Sequence, residues 1–192
     1  AAICAHARAT WPKPCRFIGS HPMAGSEKFG PEYATADLYA NSTTLVEQRC
    51  NSAADFVDQD AHKTICALWQ SVGSKVVEVE PAAHDALLAR TSHVPHILAA
   101  CIAQLAANED CGMGKLSAFT GGGFKDMTRI AAGRPEVWRD ICLTNRDAIL
   151  EALCQLGKQI GDVANMMSEN SGEALEAFFE AGRKARNKAL DE

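Results

Sequence analysis

A histidine followed directly by a proline, His21-Pro22, stands within the stretch Gly19–Gly30, GSHPMAGSEKFG. The apolar residues just before it predict a β-strand that leads into the histidine. Pro22 lacks a backbone N–H, so we expect the strand to end there, with Gly25 allowing the chain to turn. Ligands of open α/β sheets commonly bind at the ends of strands. The pattern therefore makes His21 a candidate for contact with a ligand.

Further histidines lie beside polar residues where helices are expected to begin. His84-Asp85 opens the helix after the third expected strand, and Ser92, His93 and His96 lie at the start of the next helix. Ser92 and His96 are four positions apart and share a helix face. The alternative for each histidine is that it caps a helix or lies on the surface without a functional role. An HxxH pair without a third ligand at helical spacing is a weak zinc signal, so we expect no metal site.

An arginine follows a run of glycines in the stretch Phe119–Trp138, FTGGGFKDMTRIAAGRPEVW. A helix that begins with bare glycine backbone suits an anion, and the guanidinium of Arg129 can bind a carboxylate through two parallel hydrogen bonds. The alternative is a tight helix-packing site in which Arg129 pairs with Asp126. The segment GMGK, residues 112–115, resembles a fragment of a phosphate-binding loop. It is not a P-loop, because it neither follows a strand nor ends in GK[ST]. The dinucleotide-binding pattern GxGxxG is absent from the sequence.

The composition excludes several classes of protein. The 192 residues are 47% hydrophobic and 22% charged, which allows a core without disulfides, and a net charge of −5 with scattered basic residues argues against nucleic acid. Eight cysteines form no CxxC pair, and several, such as Cys101, lie in apolar helical patterns. We expect reduced core thiols in a cytoplasmic protein. No segment approaches the roughly 18 apolar residues of a membrane span, so we expect no membrane partner.

The first part of the chain has the pattern of an α/β fold. Strands are expected at CRFIGSHP, at Thr43–Glu47 and at Lys75–Glu80. Between the second and third strands, DAHKTICALWQSVG has helical periodicity and ends at Gly73, where a helix-terminating glycine belongs. A strand, a helix and a strand with short connections predict a parallel βαβ unit. Three strands are too few for a complete doubly wound sheet, which indicates the second half of a nucleotide-binding domain.

After Pro81 the sequence predicts helices without further strands. They cover AAHDALLAR, then SHVPHILAACIAQLAA with Ser92 as N-cap, then the tract Pro135–Met167, and finally GEALEAFFEAGRKARNKAL. In the third tract, apolar residues recur at spacings of 4, 3, 4, 3 and 4, and this seam predicts packing against a helix of the same chain or of a second subunit. The seam consists of Ile149, Leu153, Leu156, Ile160, Val163 and Met167.

Three motifs together resemble the prephenate dehydrogenases and the related arogenate dehydrogenases. They are GSHPMAGSE, HDALLARTSHVPH and FTGGGFKDMTRIAAGRPEVWRDICLTNRDAIL, in this order and spacing. The resemblance covers essentially the whole chain. It implies an α/β remnant, the C-terminal part of a Rossmann-like nucleotide-binding domain, over residues 1–80, followed by an all-α helical dimerisation domain over residues 81–192. The GxGxxG fingerprint of the family and its strands are absent from this sequence.

The resemblance also implies roles for individual residues. His21 matches the catalytic histidine that hydrogen-bonds the ring hydroxyl of the substrate, and Arg129 matches the residue that holds a substrate carboxylate. Trp138 matches a tryptophan that the partner subunit contributes near the site. The other implied substrate-site residues are Ser26, Glu27, Ser92, His96, Gly122 and Asp126, and His93 accompanies the SHxPH motif.

The implied function is the oxidative decarboxylation of prephenate to 4-hydroxyphenylpyruvate in tyrosine biosynthesis, with NAD or NADP as cofactor, by a homodimer. The alternatives are arogenate as substrate, a related dehydrogenase acting on another small acid, or a non-catalytic helical dimerisation module. Because the chain lacks the phosphate-binding turn, we expect no useful dehydrogenase activity from it alone.

Overall fold

The computed structural model describes residues 1–12, 16–25, 30–48, 58–107 and 116–190. Contacts divide the chain into two compact units, Ala1–Ile149 and Leu150–Glu192. The described strands are β1 (Ser20–Met23), β2 (Thr43–Glu47) and β3 (Lys75–Val79), and the described α-helices are α1 (Ala2–Thr10), α2 (Gln59–Ser71), α3 (Pro81–Leu88), α4 (Val94–Ala107), α5 (Gly122–Thr128), α6 (Pro135–Thr144), α7 (Arg146–Ser168) and α8 (Gly172–Leu190). A small α/β part is thus followed by helices, as the sequence predicts.

The predicted parallel βαβ unit is confirmed. Strands β2 and β3 pair in parallel, with Leu45 opposite Val77, and α2 connects them. The Asp58 side chain caps α2 by accepting a hydrogen bond from the Ala61 N–H at 2.8 Å. Beyond the end of α2, Gly73 adopts a φ of 83°, a conformation that glycine takes without a steric penalty. The helix therefore ends where the sequence predicts.

Strand β1 corrects the expected position of His21. It pairs antiparallel with β2 at one edge of the sheet, which has the order β1-β2-β3. His21 lies opposite Leu45, and Pro22 lies opposite Thr44. The strand therefore begins later than CRFIGSHP predicts, at Ser20, and it continues through Pro22 to end one residue beyond it, at Met23. An edge strand tolerates proline, because the missing N–H needs no partner on the open side of the sheet.

The core of the sheet fixes β1 against its neighbours. Ile18, just before β1, and Val46 on β2 are buried together. Beneath the sheet, the hydroxyls of Thr44 and Ser74 are 2.7 Å apart and satisfy each other in a buried position. The partly buried residues packed on this core are Ala61, Ile65, Cys66, Trp69 and Val76. This packing holds the strand that carries His21.

Helices α3 and α4 form one continuous run, joined by a π-helical turn at Ala89–His93. The prediction of two helices separated by an N-cap at Ser92 is wrong, because Ser92 lies inside this turn. Pro95 gives the physical reason: its ring clashes with the carbonyl four residues earlier and it donates no hydrogen bond. A wider turn before it accommodates both defects without ending the helix.

By length and composition, the run Pro81–Ala107 is long and apolar enough to cross a membrane. This differs from the expectation that no segment approaches a membrane span, and the finding concerns only the residues that the structure describes. Core helices of folded domains meet the same criterion. The residues His84, Asp85 and His93 in this run line a cavity, which is described below.

The tract Pro135–Met167 forms two helices rather than one, because the chain breaks at Asn145 between α6 and α7. The predicted apolar seam is buried at Ile149, but Ile160 and Met167 are 57% and 63% exposed. The described part of one chain thus leaves these seam residues in solvent. Their packing partner stays a prediction.

Two cysteines contradict the expectation of core thiols. Cys101 on α4 and Cys154 on α7 are exposed, whereas Cys4 and Cys142 are partly buried. All four are free thiols. The apolar pattern around Cys101 is correctly helical, but this cysteine lies on a face that the chain does not cover.

Candidate functional site

A cavity of about 630 Å³ lies in the unit Ala1–Ile149, against the sheet and the start of α3. Its polar lining comes from separate elements. His21 is on β1, His84 and Asp85 are in the first two turns of α3, and His93 is in the π-helical turn. Glu47, at the end of β2, also lines the cavity. Asp140, on α6, lines it as well, so the fold brings three histidines and three carboxylates to one apolar-walled space.

Three of these side chains form a continuous hydrogen-bonded series, here called the His21 chain. His21 Nδ1 lies 3.0 Å from His84 Nε2, and His84 Nδ1 lies 2.9 Å from Asp85 Oδ1. The centroids of the two imidazole rings are 5.2 Å apart. The second carboxylate oxygen of Asp85 accepts a hydrogen bond from the Ala1 ammonium at 2.5 Å. All three distances are within the range of good hydrogen bonds or shorter.

The surroundings favour neutral His21 and ionised Asp85. His21 is exposed, but the partial loss of water around its imidazole lowers its pKa below 6.5, and the neighbouring His84 lowers it further. Burial opposes ionisation of Asp85, yet hydrogen bonds from the Ala1 ammonium and His84 hold its pKa below the usual value. Near neutral pH the His21 chain thus has an anion, Asp85, at one end and a neutral imidazole, His21, at the other.

Asn145, at the break between α6 and α7, ties this region together. Its amide nitrogen donates to the backbone carbonyl of Asp85 at 2.8 Å and lies 3.1 Å from His93 Nδ1. An amide N–H₂ only donates, so His93 accepts through Nδ1. Burial lowers the pKa of His93, and the nearby His84 adds to this effect. His93 is therefore held as a neutral ring.

A second cluster, here called the Trp138 group, consists of His96, Arg129 and Trp138. The rings of His96 and Trp138 stack with centroids 3.5 Å apart and an angle of 23°. His96 Nδ1 donates to the Ser92 carbonyl at 3.0 Å. Burial lowers the pKa of His96 and the charge of Arg129 lowers it further, although the bond to Ser92 acts in the opposite direction. Arg129 therefore lies close enough to influence His96 electrostatically.

Gly133 packs against the Trp138 indole. A Cβ atom built on this glycine would lie 2.5 Å from Trp138 Nε1 and 3.1 Å from its Cδ1. Real carbon contacts do not reach that distance, so the close approach requires glycine. Gly133, just before α6, thus packs closely against the same indole that stacks on His96.

The residues expected from the sequence are distributed over both clusters. His21 and His93 line the cavity, while Ser92 contributes its carbonyl to His96. Gly122 and Asp126 lie exposed on α5. Ser26 and Glu27 lie outside the described residues. Trp138 stacks on His96 of its own chain, so this contact needs no second subunit.

The sequence analysis did not assign a role to four residues that the structure places in or beside the cavity. His84 and Asp85 were noted only as a polar pair that opens a helix. Asn145 interrupts an apolar helical pattern, and that interruption is the signal that could have found it. Glu47 is the last residue of β2 and is buried. It contacts Arg8 and accepts a hydrogen bond from the Gly19 N–H at 3.1 Å.

Comparison with known proteins identifies the family. A family model described as the nucleotide-binding domain of prephenate dehydrogenase matches residues 1–78, and one described as its dimerization domain matches residues 80–181. The chain belongs to the prephenate dehydrogenase family. It is 30% identical over 176 residues to a prephenate dehydrogenase of Bacillus subtilis, covering 92% of this chain and 46% of that protein.

Other relatives in the family carry related names. A cyclohexadienyl dehydrogenase of Zymomonas mobilis is 28% identical over 88% of this chain and 56% of its own length. The prephenate dehydrogenase of A. aeolicus, solved with hydroxyphenyl propionate and NAD+, superimposes with a TM-score of 0.81 at 29% identity over 90% of this chain and 59% of that one. The Synechocystis arogenate dehydrogenase gives a TM-score of 0.82 at 25% identity, over 98% and 66%. The chain spans about half the length of the curated relatives it matches.

A family model of a nucleotide-binding domain matches residues 1–78, but a dinucleotide pyrophosphate does not fit the helix starts that follow β2 and β3. The carboxylate of Asp58 occupies the N-terminus of α2, and that of Glu80 accepts from the Ala83 N–H at the N-terminus of α3. Pyrophosphate binding requires open N–H groups and no adjacent negative charge. Among the described residues, the helix starts that follow β2 and β3 therefore offer no cradle for cofactor phosphates.

Proposed function

We propose that this chain supplies the proton-accepting and substrate-holding part of a nicotinamide-dependent dehydrogenase that converts prephenate to 4-hydroxyphenylpyruvate. The observation that carries the proposal is His21, lowered in pKa and hydrogen-bonded through Nδ1, in a cavity of a chain that belongs to this family. A neutral imidazole near neutral pH is suited to accept a proton.

The chemistry of prephenate assigns a task to this histidine. The substrate carries a ring hydroxyl and two carboxylates. His21 would accept the hydroxyl proton as the carbon that bears the hydroxyl becomes a carbonyl carbon. A nicotinamide, when bound, would supply the acceptor for the hydride from that carbon. The bond to the ring carboxylate then breaks, carbon dioxide departs, and the electron pair completes the aromatic ring, whose oxygen takes a proton back. Aromatisation supplies the driving force, so the protein mainly positions the substrate and accepts a proton.

Arg129 is the proposed partner of a substrate carboxylate. Its guanidinium is charged at any working pH and offers two parallel donors. Its influence on the pKa of His96 supports a position beside the His96–Trp138 stack. Ser92, His93, Gly122, Asp126, Ser26 and Glu27 remain proposed members of the substrate site.

Arogenate is the second candidate substrate, because an arogenate and a cyclohexadienyl dehydrogenase are among the relatives. The two substrates differ only at the side chain, which is pyruvyl in prephenate and alanyl in arogenate. The ring chemistry assigned to His21 is the same for both. The side-chain amine of arogenate is the feature that a comparison of turnover rates would detect.

We further propose a domain boundary at residues 80/81 and a homodimer formed through the helical part. The two family matches, which meet at residues 78 and 80, support the boundary. The exposed seam residues Ile160 and Met167 support the dimer, because apolar side chains at coiled-coil spacing favour burial against another helix. Sedimentation equilibrium of the chain tests it, and a monomer at micromolar concentration would contradict it.

Turnover measurements test the proposed function. The chain, and the chain extended by the coding sequence upstream of it in its gene, are assayed with prephenate and arogenate, each with NAD and NADP. We expect activity only in the extended protein, and a fall in kcat of about 10²- to 10⁴-fold in His21→Asn. His6→Ala, an exposed change on α1, is the matched control. A folded extended protein that is inactive with both substrates would favour the non-catalytic dimerisation module.

A further inference from the structure

We propose that His84 and Asp85 are positioning residues that fix the tautomer of His21, so that Nδ1 carries the proton and Nε2 is the basic nitrogen. Only the catalytic consequence rests on the proposed function. The tautomer itself is a property of the resting chain, which can be measured without turnover. The observation that carries the inference is the unbroken series from the Asp85 carboxylate through His84 to His21.

The series begins at a group whose role is fixed. An ionised carboxylate accepts hydrogen bonds and donates none. Because Asp85 Oδ1 lies 2.9 Å from His84 Nδ1, that nitrogen must carry the proton. In a neutral His84 ring with the proton on Nδ1, Nε2 is an acceptor.

The acceptor on His84 determines the proton position on His21. At 3.0 Å, His84 Nε2 accepts a hydrogen bond only if His21 Nδ1 carries the proton. The remaining nitrogen of His21, Nε2, is then unprotonated. The same logic operates where a buried carboxylate orients a catalytic histidine through its other ring nitrogen. Here a second imidazole lies between the carboxylate and the histidine.

The backbone holds the series in place from both sides. Pro81 occupies the first position of α3 and Glu80 caps that helix, which fixes the first turns that carry His84 and Asp85. Asn145 holds the Asp85 carbonyl at 2.8 Å. On the other side, the pairing of His21 with Leu45 in the sheet fixes the strand. The contact between the two imidazoles therefore joins two anchored elements.

Other ionisable groups face the same cavity and belong in any account of its protonation. They are the Ala1 ammonium, Glu47, His93 and Asp140. The Arg8 guanidinium pairs with Glu47, and His93 accepts from Asn145. Of these groups, the Ala1 ammonium of the 192-residue chain contacts Asp85 directly and reinforces the ionised state of the carboxylate. In the extended protein the same nitrogen belongs to an uncharged peptide group.

Imidazole ¹⁵N NMR of the 192-residue chain at pH 8 tests the tautomer directly. Two-bond ¹H–¹⁵N correlations show which ring nitrogen of each histidine is protonated. We expect the Nδ1–H form for both His21 and His84. A predominant Nε2–H form at His21 would overturn the proposal.

Paired variants separate positioning from general structural damage. His84→Phe keeps a ring but removes the acceptor, so His21 is expected to lose its tautomer preference. His84→Gln retains an acceptor oxygen, and we expect it to restore the Nδ1–H form. Asp85→Ala removes the carboxylate and is expected to mix the tautomers of His84 and weaken the preference at His21. His6→Ala controls for the loss of a histidine as such. An unchanged His21 tautomer in His84→Phe and Asp85→Ala would contradict the proposal.

Kinetics of the extended protein supply the second readout. We expect kcat/KM to fall about 10- to 100-fold in His84→Phe, as is usual when the partner of a functional histidine is removed, and to recover substantially in His84→Gln. Equal losses in the two variants would indicate a merely structural role and overturn the proposal. If the expected tautomers are found in an inactive protein, the proposed function fails while the inference stands. If the protein is active but His21 lacks the expected tautomer, the inference fails while the proposed function stands.

Discussion

The His21 chain and the Trp138 group lie in the same compact unit but are built in different ways. In the His21 chain, each side chain is hydrogen-bonded to the next, from a carboxylate through two imidazoles. In the Trp138 group, the main described contact is a ring stack, and the guanidinium acts on His96 through its charge. One cluster is organised by directional bonds, the other by packing and a permanent charge.

The difference follows from what each group is proposed to do. A base functions only in one protonation state and one tautomer, and these are set by hydrogen-bond partners. A guanidinium keeps its charge over all working pH values, so no partner is needed to maintain it. We therefore expect changes in the His21 chain to alter turnover and pH dependence, and changes in the Trp138 group to alter affinity and packing.

Replacement of Arg129 gives the largest expected contrast. In the extended protein, Arg129→Ala is expected to raise KM about 10- to 100-fold, the cost of losing a charge-assisted bond, with a smaller change in kcat. The pH profile should keep its shape. Steady-state kinetics from pH 5.5 to 9 measures both, with Arg129→Lys as a partial rescue. A larger loss in kcat than in KM would show that Arg129 acts in the transition state.

The pH profile of the wild-type enzyme tests the protonation of His21. Because the neutral form of His21 is the base, kcat/KM should rise with pH and then level off. Since burial and His84 lower the pKa of His21, the midpoint should lie below 6.5. Below it, kcat/KM should fall about tenfold per pH unit, as for a single ionisation. A flat profile that is unchanged in His21→Asn would refute the assignment.

Packing in the Trp138 group is tested by Gly133→Ala. The added Cβ would lie 2.5 Å from Trp138 Nε1, so the indole must shift, at a cost of about 1–3 kcal/mol in the free energy of unfolding. Urea denaturation measures this, and the indole N–H resonance of Trp138 reports the shift. Gly157→Ala on α7, where an added Cβ meets no described atom, is the matched control and should be neutral or stabilising. Equal stabilities would mean that Trp138 is not constrained by Gly133.

The smallest expected effect is a loss of stability on mild acidification. Burial lowers the pKa of His21, His93 and His96, so the unfolded chain binds protons more readily than the folded one below about pH 6.5. The free energy of unfolding should therefore be constant above this pH and decrease from 6.5 towards 5.5. Urea titrations at several pH values measure the trend, and a triple change to Gln should reduce it. An increase in stability over that range would contradict the pKa directions.

Much of the fold follows from the sequence because it depends on local signals. The periodicity of α2 and the position of Gly73 predict a helix between parallel strands, and the structure adds the Asp58 cap. The position of Pro22 did not follow, because whether a proline is tolerated depends on which strand lies at the edge of the sheet. That is a property of the assembled sheet, not of the local sequence.

The site divides in the same way. His21 and Arg129 stand in motifs whose residue types already suggest chemistry. The roles of His84 and Asn145 depend on contacts across 63 and 60 positions of the chain, with His21 and the Asp85 carbonyl respectively. A sequence alone does not reveal which distant element an imidazole or an amide will meet. The sequence shows that His84 is next to Asp85, but it does not show that His84 also contacts His21.

The π-helical turn at Ala89–His93 has a consequence for rotational phase. His84 and His93 are nine positions apart, and in a regular α-helix, at about 100° per residue, they would point in opposite directions. Both line the same cavity, because the wider turn between them delays the rotation of the helix. A regular α-helix of the same length would turn His93 to the side opposite His84. The π-helical turn thus allows one helical run to present two histidines to the same cavity.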